Sequence, residues 1–165
     1  MKFQKIKAGE NAESYIAHSP VTEAEILRLA LQLAARQMFK GKPLTDPSRL
    51  AEHLQMLLQD YEHEVFALVM LDKGRRVISI EEVFLTTPDS DRIYPREVVR
   101  MALRHNSSAV VLVHYHPSGD PTPSSEDRLI TKILKTALDL IGIRTLDHIF
   151  IGSERYISLD QLDWI

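Results

Sequence analysis

Two short runs of apolar residues set the strongest limit on how this chain can fold. Val65–Leu71 is continuously apolar, and the segment Ala109–Tyr115 is apolar until its last residues. Runs of this length are too short for most helices and are typical of buried strands. Whatever surrounds them must therefore build a sheet whose inner strands lie in the core.

Helical and strand patterns alternate around these two runs. A capping box formed by Thr22 and Glu25 precedes an apolar periodicity of 3.6 residues, so a helix is predicted over 22–39. Pro47 fits the first turn of a second helix, over 47–60. The remaining predicted elements are strands at 65–71, 77–87, 109–115, 146–151 and 156–159, a helix from Pro95 to about His105 and a helix over 125–141. This order favours an α/β (α+β) fold with a mixed sheet and packed helices.

The apolar positions of the last two helices predict which faces are buried. The helix beginning at Pro95 is expected to bury one apolar stripe, and the helix over 125–141 another. The first stripe consists of Val98, Val99, Ala102 and Leu103, and the second of Leu129, Ile130, Ile133, Leu134, Ala137 and Leu138.

Three segments are expected along the chain: a loose polar arm over 1–20, a helical segment over 21–60 and the main domain over 61–165.

Composition excludes several classes of protein and site. The 165 residues include no cysteine, so a metal ion must be held by His, Asp or Glu, and disulfides are excluded. The net charge is −3 and the basic residues form no run, a pattern that does not support nucleic-acid binding. The chain has neither the apolar core of a signal peptide nor a run of about 20 apolar residues. No membrane association and a cytoplasmic location are therefore expected, and the oligomeric state stays open.

The segment from His114 to Asp127 carries the pattern most typical of a chemical site. Residues two apart in a strand point to the same side, so His114 and His116 are expected to project together from a strand end. A loop rich in proline leads into a helix whose first turn holds Asp127. Two imidazoles and one carboxylate suit one zinc ion per chain, with a fourth position left for water. Taken singly, His-x-His is a weak signal, and Ser124 with Asp127 also matches a helix cap.

Three segments together resemble the RadC family, whose proteins carry the JAB/MPN domain with the JAMM metalloprotease motif. They are Pro95–Val98, His114–Ser124 and Leu146–His148. The motif consists of an upstream Glu, then His-x-His, seven residues, Ser, two residues and Asp, and the spacing from His114 to Asp127 matches it without a gap. The resemblance extends from about Glu64 to the C-terminus. It implies the three-layer, cytidine-deaminase-like arrangement of JAB/MPN domains for residues 61–165.

The resemblance also implies roles for individual residues. His114, His116 and Asp127 match the zinc ligands, and Ser124 matches the serine that helps to hold an oxyanion. Glu64 best matches the general base, although Glu62 is a rival two residues earlier. The implied activity is a zinc-dependent metallopeptidase or isopeptidase-like hydrolase that cleaves an amide bond in a protein or peptide. A non-catalytic interaction module and a DNA-repair-associated factor are the alternatives.

Two departures from the family bear on these expectations. Tyr115 stands where relatives commonly have Asn, but it points away from the ligands and should affect them little. Residues 1–60 suggest two amphipathic helices and no glycine-centred helix-hairpin-helix pair, so the chain is interpreted as a short form that lacks this module. Asp147 and His148 lie in a family-like Leu-Asp-His segment, where a structural pairing in the sheet is expected before a substrate-side role.

Overall fold

The computed structural model describes residues 6–8, 15–23, 42–44, 47–59, 61–83 and 93–165, together with single positions at 26, 29, 30 and 33. Its strands are β1 (Ile6–Ala8), β2 (Tyr15–Ala17), β3 (Val65–Leu71), β4 (Val77–Glu82), β5 (Ala109–Tyr115), β6 (Arg144–Ile151) and β7 (Tyr156–Ser158). Its continuous helices are α1 (Pro47–Leu58), α2 (Pro95–Arg104) and α3 (Ser125–Asp139).

Most predicted elements are confirmed within a few residues. The two apolar runs form β3 and β5, and the three proline- or serine-led helices form α1, α2 and α3. Strand β4 ends at Glu82, and residues 84–87 of its predicted span lie outside the described residues. The helix predicted over 22–39 also lies largely outside them, but its described positions at 23, 26, 29, 30 and 33 are helical.

The described N-terminal residues differ from the predicted loose arm. Strands β1 and β2 pair antiparallel, with Lys7 opposite Ile16. Each strand has three residues, which is too short for a reliable alternation pattern in the sequence. Among the described residues, no helix combines the length and the apolar character that a membrane crossing requires.

The main sheet has five strands in the order β4-β3-β5-β6-β7. Strands β5 and β6 run parallel, and every other neighbouring pair is antiparallel. The parallel pair is possible because α3 lies between β5 and β6 in the chain and brings the chain back to the end of the sheet at which β5 began. The register sets Phe66 opposite His114 and Leu112 opposite His148. The predicted mixed sheet is therefore confirmed.

Helices cover both faces of this sheet, which confirms the three-layer arrangement. One face packs against α1, and the other packs against α2 and α3. The α1 face buries Leu50, Ala51, Leu54 and Leu58 with Val65, Ala67, Val69, Val111, Val113, Ile149 and Ile151. The α3 face buries Phe66, Leu68, Met70, Val110 and Leu112 with Val98, Ala102, Leu134 and Leu138. Because α1 shares a core with the strands, we favour placing it in the same folded unit as residues 61–165.

The buried side of α3 differs from the predicted stripe. Leu129 is 60% exposed and Ile133 is 43% exposed, so these two predictions are wrong. The positions that face the sheet follow the spacing i, i+4, i+7 and i+11, and they are Asp127, Thr131, Leu134 and Leu138. Two of the four inward positions are polar, which is why counting apolar residues found Leu134 and Leu138 but also included the exposed Leu129 and Ile133. In α2, Val98 and Ala102 are buried as predicted, whereas Leu103 is 56% exposed.

Candidate metal centre

The end of β5 brings two histidines together. His114 is the last inward-facing residue of β5 on the α3 face, opposite Phe66. The backbone N–H of His116 donates to Ile151 O at 2.9 Å, which extends the pairing with β6 one residue beyond the strand. The ring centroids of the two histidines lie 4.6 Å apart. Strand geometry therefore explains why the spacing of two matters: both rings lie over the same end of the sheet.

Asp127 enters this group from the first turn of α3. Its side chain and that of Ser124 form a capping box, as the sequence predicted. The Asp127 N–H donates to Ser124 Oγ at 3.1 Å, while Ser124 N–H and Oγ–H donate to Asp127 Oδ2 at 2.8 and 2.6 Å. The second oxygen, Oδ1, lies 3.0 Å from His114 Nδ1. One carboxylate therefore starts the helix with one oxygen and approaches a histidine with the other.

The surroundings of Asp127 favour its charged form. Burial raises the pKa of this carboxyl, but the close approach of His114 and the hydrogen bonds from Ser124 outweigh that effect. The net result is a pKa well below the usual value for aspartate. A carboxylate that is already deprotonated and fixed in place is suited to a cation.

Glu64 approaches the same histidine from the other side. It immediately precedes β3 and, with Phe66, lies on the α3 face, and its Oε2 is 3.4 Å from His114 Nε2. Its side chain is 61% exposed, whereas that of His114 is 7% exposed. Ligand atoms of Glu64, His114 and His116 all lie within 4.8 Å of one another, so this group could hold a metal ion. That group of described residues contains Glu64 and not its rival Glu62, and it does not include Asp127, which approaches the two histidines at 3.0 and 3.9 Å.

A backbone carbonyl orients the His116 ring. His116 Nδ1 lies 2.9 Å from Asp120 O. A carbonyl can only accept, so Nδ1 carries the proton and the lone pair is on Nε2, which lies 3.9 Å from Asp127 Oδ2. Metal-binding imidazoles are commonly held in this way, with the second ring nitrogen donating to a carbonyl or carboxylate.

The loop that supplies Asp120 is held by close backbone contacts. Gly119 adopts φ +86°, in the left-handed region, and its carbonyl accepts from Ser153 N–H at 3.2 Å. A Cβ atom on Gly152 would lie 2.2 Å from Gly119 O, so only glycine permits this approach. The side chain of Gln55 in α1 donates to Gly152 O and Ser153 O at 3.1 and 2.7 Å. These contacts fix the loop against the β6–β7 turn.

The donor set fits a metal ion. Within the described part of the chain, His114 Nδ1 is buried and, although 3.0 Å from Asp127 Oδ1, forms no hydrogen bond in this orientation. Ligand atoms bound tetrahedrally at about 2.0–2.2 Å lie about 3.3–3.6 Å from one another. His114 Nδ1 lies 3.0 Å from Asp127 Oδ1 and His116 Nε2 lies 3.9 Å from the other carboxylate oxygen, Oδ2, so each ring approaches this carboxylate to a distance close to that range. Nitrogen and carboxylate oxygen are also the donors expected of a site without cysteine.

Two residues beneath the centre had not been assigned to it from the sequence. Thr131 is buried one turn after Asp127, and its Oγ lies 2.6 Å from Asp127 O and 2.7 Å from His148 Nδ1. His148 is fully buried in β6. Its neighbour Asp147 makes structural contacts, since it accepts from Ser158 Oγ–H at 2.7 Å and from Asp160 N–H at 3.0 Å. In the sequence, only the i, i+4 spacing of Asp127 and Thr131 indicates that these two residues lie on the same side of the helix.

Comparison with known proteins identifies the family. The model of the RadC-like JAB domain matches residues 44–164. A UPF0758 protein of Xanthomonas campestris is 46% identical over 143 residues, which cover 84% of this chain and 64% of that protein. A UPF0758 protein of Aeromonas hydrophila is 44% identical over 140 residues, covering 85% of this chain and 62% of that protein.

The matched region spans less than two thirds of those two relatives but nearly all of another. A UPF0758 protein of Vibrio cholerae is 46% identical over 143 residues, covering 87% of this chain and 90% of that protein. The family match begins at residue 44 and so includes α1, in agreement with the packing of that helix on the sheet. The predicted resemblance is confirmed, and the chain belongs to the RadC family through its JAB domain.

Proposed function

We propose that this chain is a zinc-dependent hydrolase of amide bonds, of the metallopeptidase or isopeptidase type. One observation carries the proposal: two histidines, a buried carboxylate and an exposed carboxylate converge at one end of the sheet. They are His114, His116, Asp127 and Glu64. Metal-assisted hydrolysis of an amide uses a cation and a base at one place, and this group supplies donors for the first and a candidate for the second.

The two carboxylates differ in a way that assigns their roles. Asp127 is 11% exposed in its side chain and has Oδ2 fixed by two hydrogen bonds from Ser124. Glu64 is 61% exposed in its side chain and lies at the mouth of the centre. A rigid, charged oxygen suits a metal ligand, and an accessible oxygen suits a group that exchanges protons. We therefore assign His114, His116 and Asp127 as ligands and Glu64 as the general base.

In this proposal the side chains perform the proton transfers. A bound zinc ion supplies Lewis-acid polarisation and a water of lowered pKa. Glu64 accepts a proton from the attacking water while the new C–O bond forms at the amide carbon. Glu64 then returns the proton to the amide nitrogen as the C–N bond breaks, which releases an amine and a carboxylic acid, and the acid gives its remaining proton to the amine or to water.

Ser124 has a second proposed role beside its role as a cap. Its hydroxyl proton points to Asp127 Oδ2 at 2.6 Å. If that hydroxyl turns toward the substrate, Asp127 Oδ2 keeps the hydrogen bond from the Ser124 N–H at 2.8 Å. The hydroxyl can then donate to the oxyanion that develops during attack, where a single donor contributes about 2.7–4 kcal/mol in other hydrolases.

Substitution of each carboxylate by its amide separates ligand from base. We expect Asp127→Asn to lower zinc affinity more than about 100-fold, because loss of a partner outside the ligand shell already lowers it 10–100-fold. Glu64→Gln should keep zinc near one per chain and abolish cleavage. Glu62→Gln, two residues away and also exposed, is the matched control. Metal content is measured by mass spectrometry and affinity by competition with a chelator.

Cleavage is measured on a library of peptides from a digested proteome, with new amino termini identified by mass spectrometry. The wild type and Glu62→Gln should produce the same new termini, and Glu64→Gln should produce none. Zinc content near zero in the wild type would contradict the metal centre. Equal cleavage by wild type and Glu64→Gln would contradict the assigned base, and zinc binding without any cleavage would favour a non-catalytic module.

A further inference from the structure

A chain of hydrogen bonds lies beneath the candidate centre and connects α3 to β6. It begins at the carbonyl of Asp127, 2.6 Å from Thr131 Oγ, and continues to His148 Nδ1, 2.7 Å beyond. Both Thr131 and His148 are buried, at 5% and 0% exposure. Neither residue belongs to the proposed ligands or to the groups that transfer protons.

The positions of the protons along this chain follow from the acceptors. Asp127 O is a carbonyl oxygen, so its short contact with Thr131 Oγ requires the hydroxyl proton. Thr131 then has no second proton to offer, and the bond to His148 is formed only if Nδ1 carries a proton. His148 is thus fixed as the neutral tautomer with the proton on Nδ1.

The surroundings of His148 agree with a neutral ring. Its ring centroid lies 4.2 Å from that of Phe150 and 5.6 Å from that of Phe66. Burial in this apolar environment, together with the nearby imidazoles, holds the pKa of His148 well below its usual value. The Nε2 atom has no hydrogen-bond partner among the residues that the structure describes. A buried imidazole with one unused nitrogen costs stability, so its single bond to Thr131 calls for a functional explanation.

The contact ties the ligand-bearing turn of α3 to the strand beside His114. His148 and His114 lie on adjacent strands with nearly parallel rings, 6.3 Å between centroids and 9° between planes. Ser124 holds the Asp127 side chain from the solvent side, and Thr131 holds its backbone from the core side. The distance between the Asp127 carboxylate and the His114 ring is therefore restrained from both sides.

We propose that His148, acting through Thr131, is a positioning residue that sets the distance between Asp127 and the two histidines. This inference rests on the proposed zinc centre. Supporting contacts outside the ligands typically change metal affinity by 10–100-fold. The same magnitude is expected when the Thr131 hydroxyl is removed.

Three substitutions at two threonines test this role. Thr131→Val removes the hydroxyl at constant volume and should weaken zinc binding at least 10-fold in chelator competition. Thr131→Ser restores the hydroxyl and should return the affinity to within about 3-fold of the wild type. Thr145→Val is the matched control, because Thr145 is buried at the opposite end of β6 and its hydroxyl has no hydrogen-bond partner among the described side chains and backbone groups. Thermal unfolding of the metal-free proteins verifies that each variant folds.

Cobalt provides a readout of geometry. In the cobalt-loaded protein, Thr131→Val should shift the visible absorption bands, while Thr131→Ser and Thr145→Val should leave them unchanged. A loss of stability alone would not move these bands, since they report the ligand arrangement around the ion.

Nitrogen-15 NMR of the metal-free wild type tests the tautomer directly. The expected result is a proton on Nδ1 of His148, and a proton on Nε2 would overturn the proposal. Unchanged zinc affinity in Thr131→Val, with zinc bound normally by the wild type, would also overturn it and leave the proposed function intact. Failure of the wild type to bind zinc would instead overturn the proposed function, and the positioning role with it.

Discussion

Successive residues of each strand point to opposite faces of the central sheet, and the two faces differ in polarity at one end of the sheet. The face under α1 is apolar along its length, from Leu71 to Val65 on β3. The face under α2 and α3 is apolar through Met70, Leu68 and Phe66, and then becomes polar at the end that holds Glu64 and His114. On β3 the first face is apolar throughout. The second face is apolar in its middle and carries the candidate metal-binding group at one end, where the local rule of apolar burial is broken.

The polar end is expensive to bury, and the structure compensates for it locally. Asp127 is held by the cap with Ser124, and its carbonyl is held by Thr131. His116 is oriented by Asp120 O. Two buried ring nitrogens, His114 Nδ1 and His148 Nε2, have no hydrogen-bond partner in the described ranges of the chain. The first of these lies among the proposed ligand atoms, so a bound cation would satisfy it.

The largest effects should come from the apolar parts of both faces. Leu54→Ala under α1 and Leu134→Ala in α3 should each lower the free energy of unfolding by about 2–5 kcal/mol, because both side chains are almost fully buried. Leu129→Ala, in the same helix but 60% exposed, should change it by less than about 0.5 kcal/mol. Urea unfolding of the metal-free proteins measures all three. A large loss for Leu129→Ala would show that its side of α3 is buried.

The next largest effect should be on zinc affinity, and only for substitutions at the polar end of the sheet. His114→Ala and His116→Ala should each weaken zinc binding more than about 100-fold, equivalent to about 2.7 kcal/mol. His63→Ala removes an exposed histidine close to β3 and should leave the affinity unchanged. Chelator competition measures the constants. Equal zinc affinity in the wild type and both site variants would mean that this end of the sheet is polar for another reason.

The smallest effect should come from the helix cap that borders the centre. Ser124→Ala should lower the free energy of unfolding of the metal-free protein by about 1 kcal/mol, the usual value for a lost N-cap. The neighbouring Ser125 is exposed and outside the capping box, so Ser125→Ala is the control. Thermal or urea unfolding measures both. A change no larger than that of the control would show that Asp127 and the loop hold the start of α3 without the Ser124 hydroxyl.

The parts of the fold that depend on neighbouring residues were predictable. The continuous apolar run Val65–Leu71 predicted β3 with its observed bounds, and Pro95 predicted the start of α2. The pair Ser124 and Asp127 predicted the cap. The spacing of His114 and His116 predicted that their side chains share one side of a strand. Each of these follows from backbone geometry over a few residues.

The inward side of α3 could not be read from the sequence in the same way. Leu129 and Ile133 are as apolar as Leu134 and Leu138, and apolar periodicity alone selected all four. The helix turns Asp127 and Thr131 inward because the sheet presents His114 and His148 at that end. The side of a helix that packs on a sheet can therefore carry polar residues where the sheet surface opposite it is polar.

The sequence by itself predicted the five strands of the main sheet, its three packed helices, the cap at Ser124 and the candidate site residues. The tertiary structure decided which sides meet: Glu64 with His114, 50 residues apart, and Thr131 with His148, 17 residues apart. The physical reason is the range of the forces involved. Backbone geometry acts within a turn or a strand, whereas a contact between distant side chains depends on the packing of every element between them.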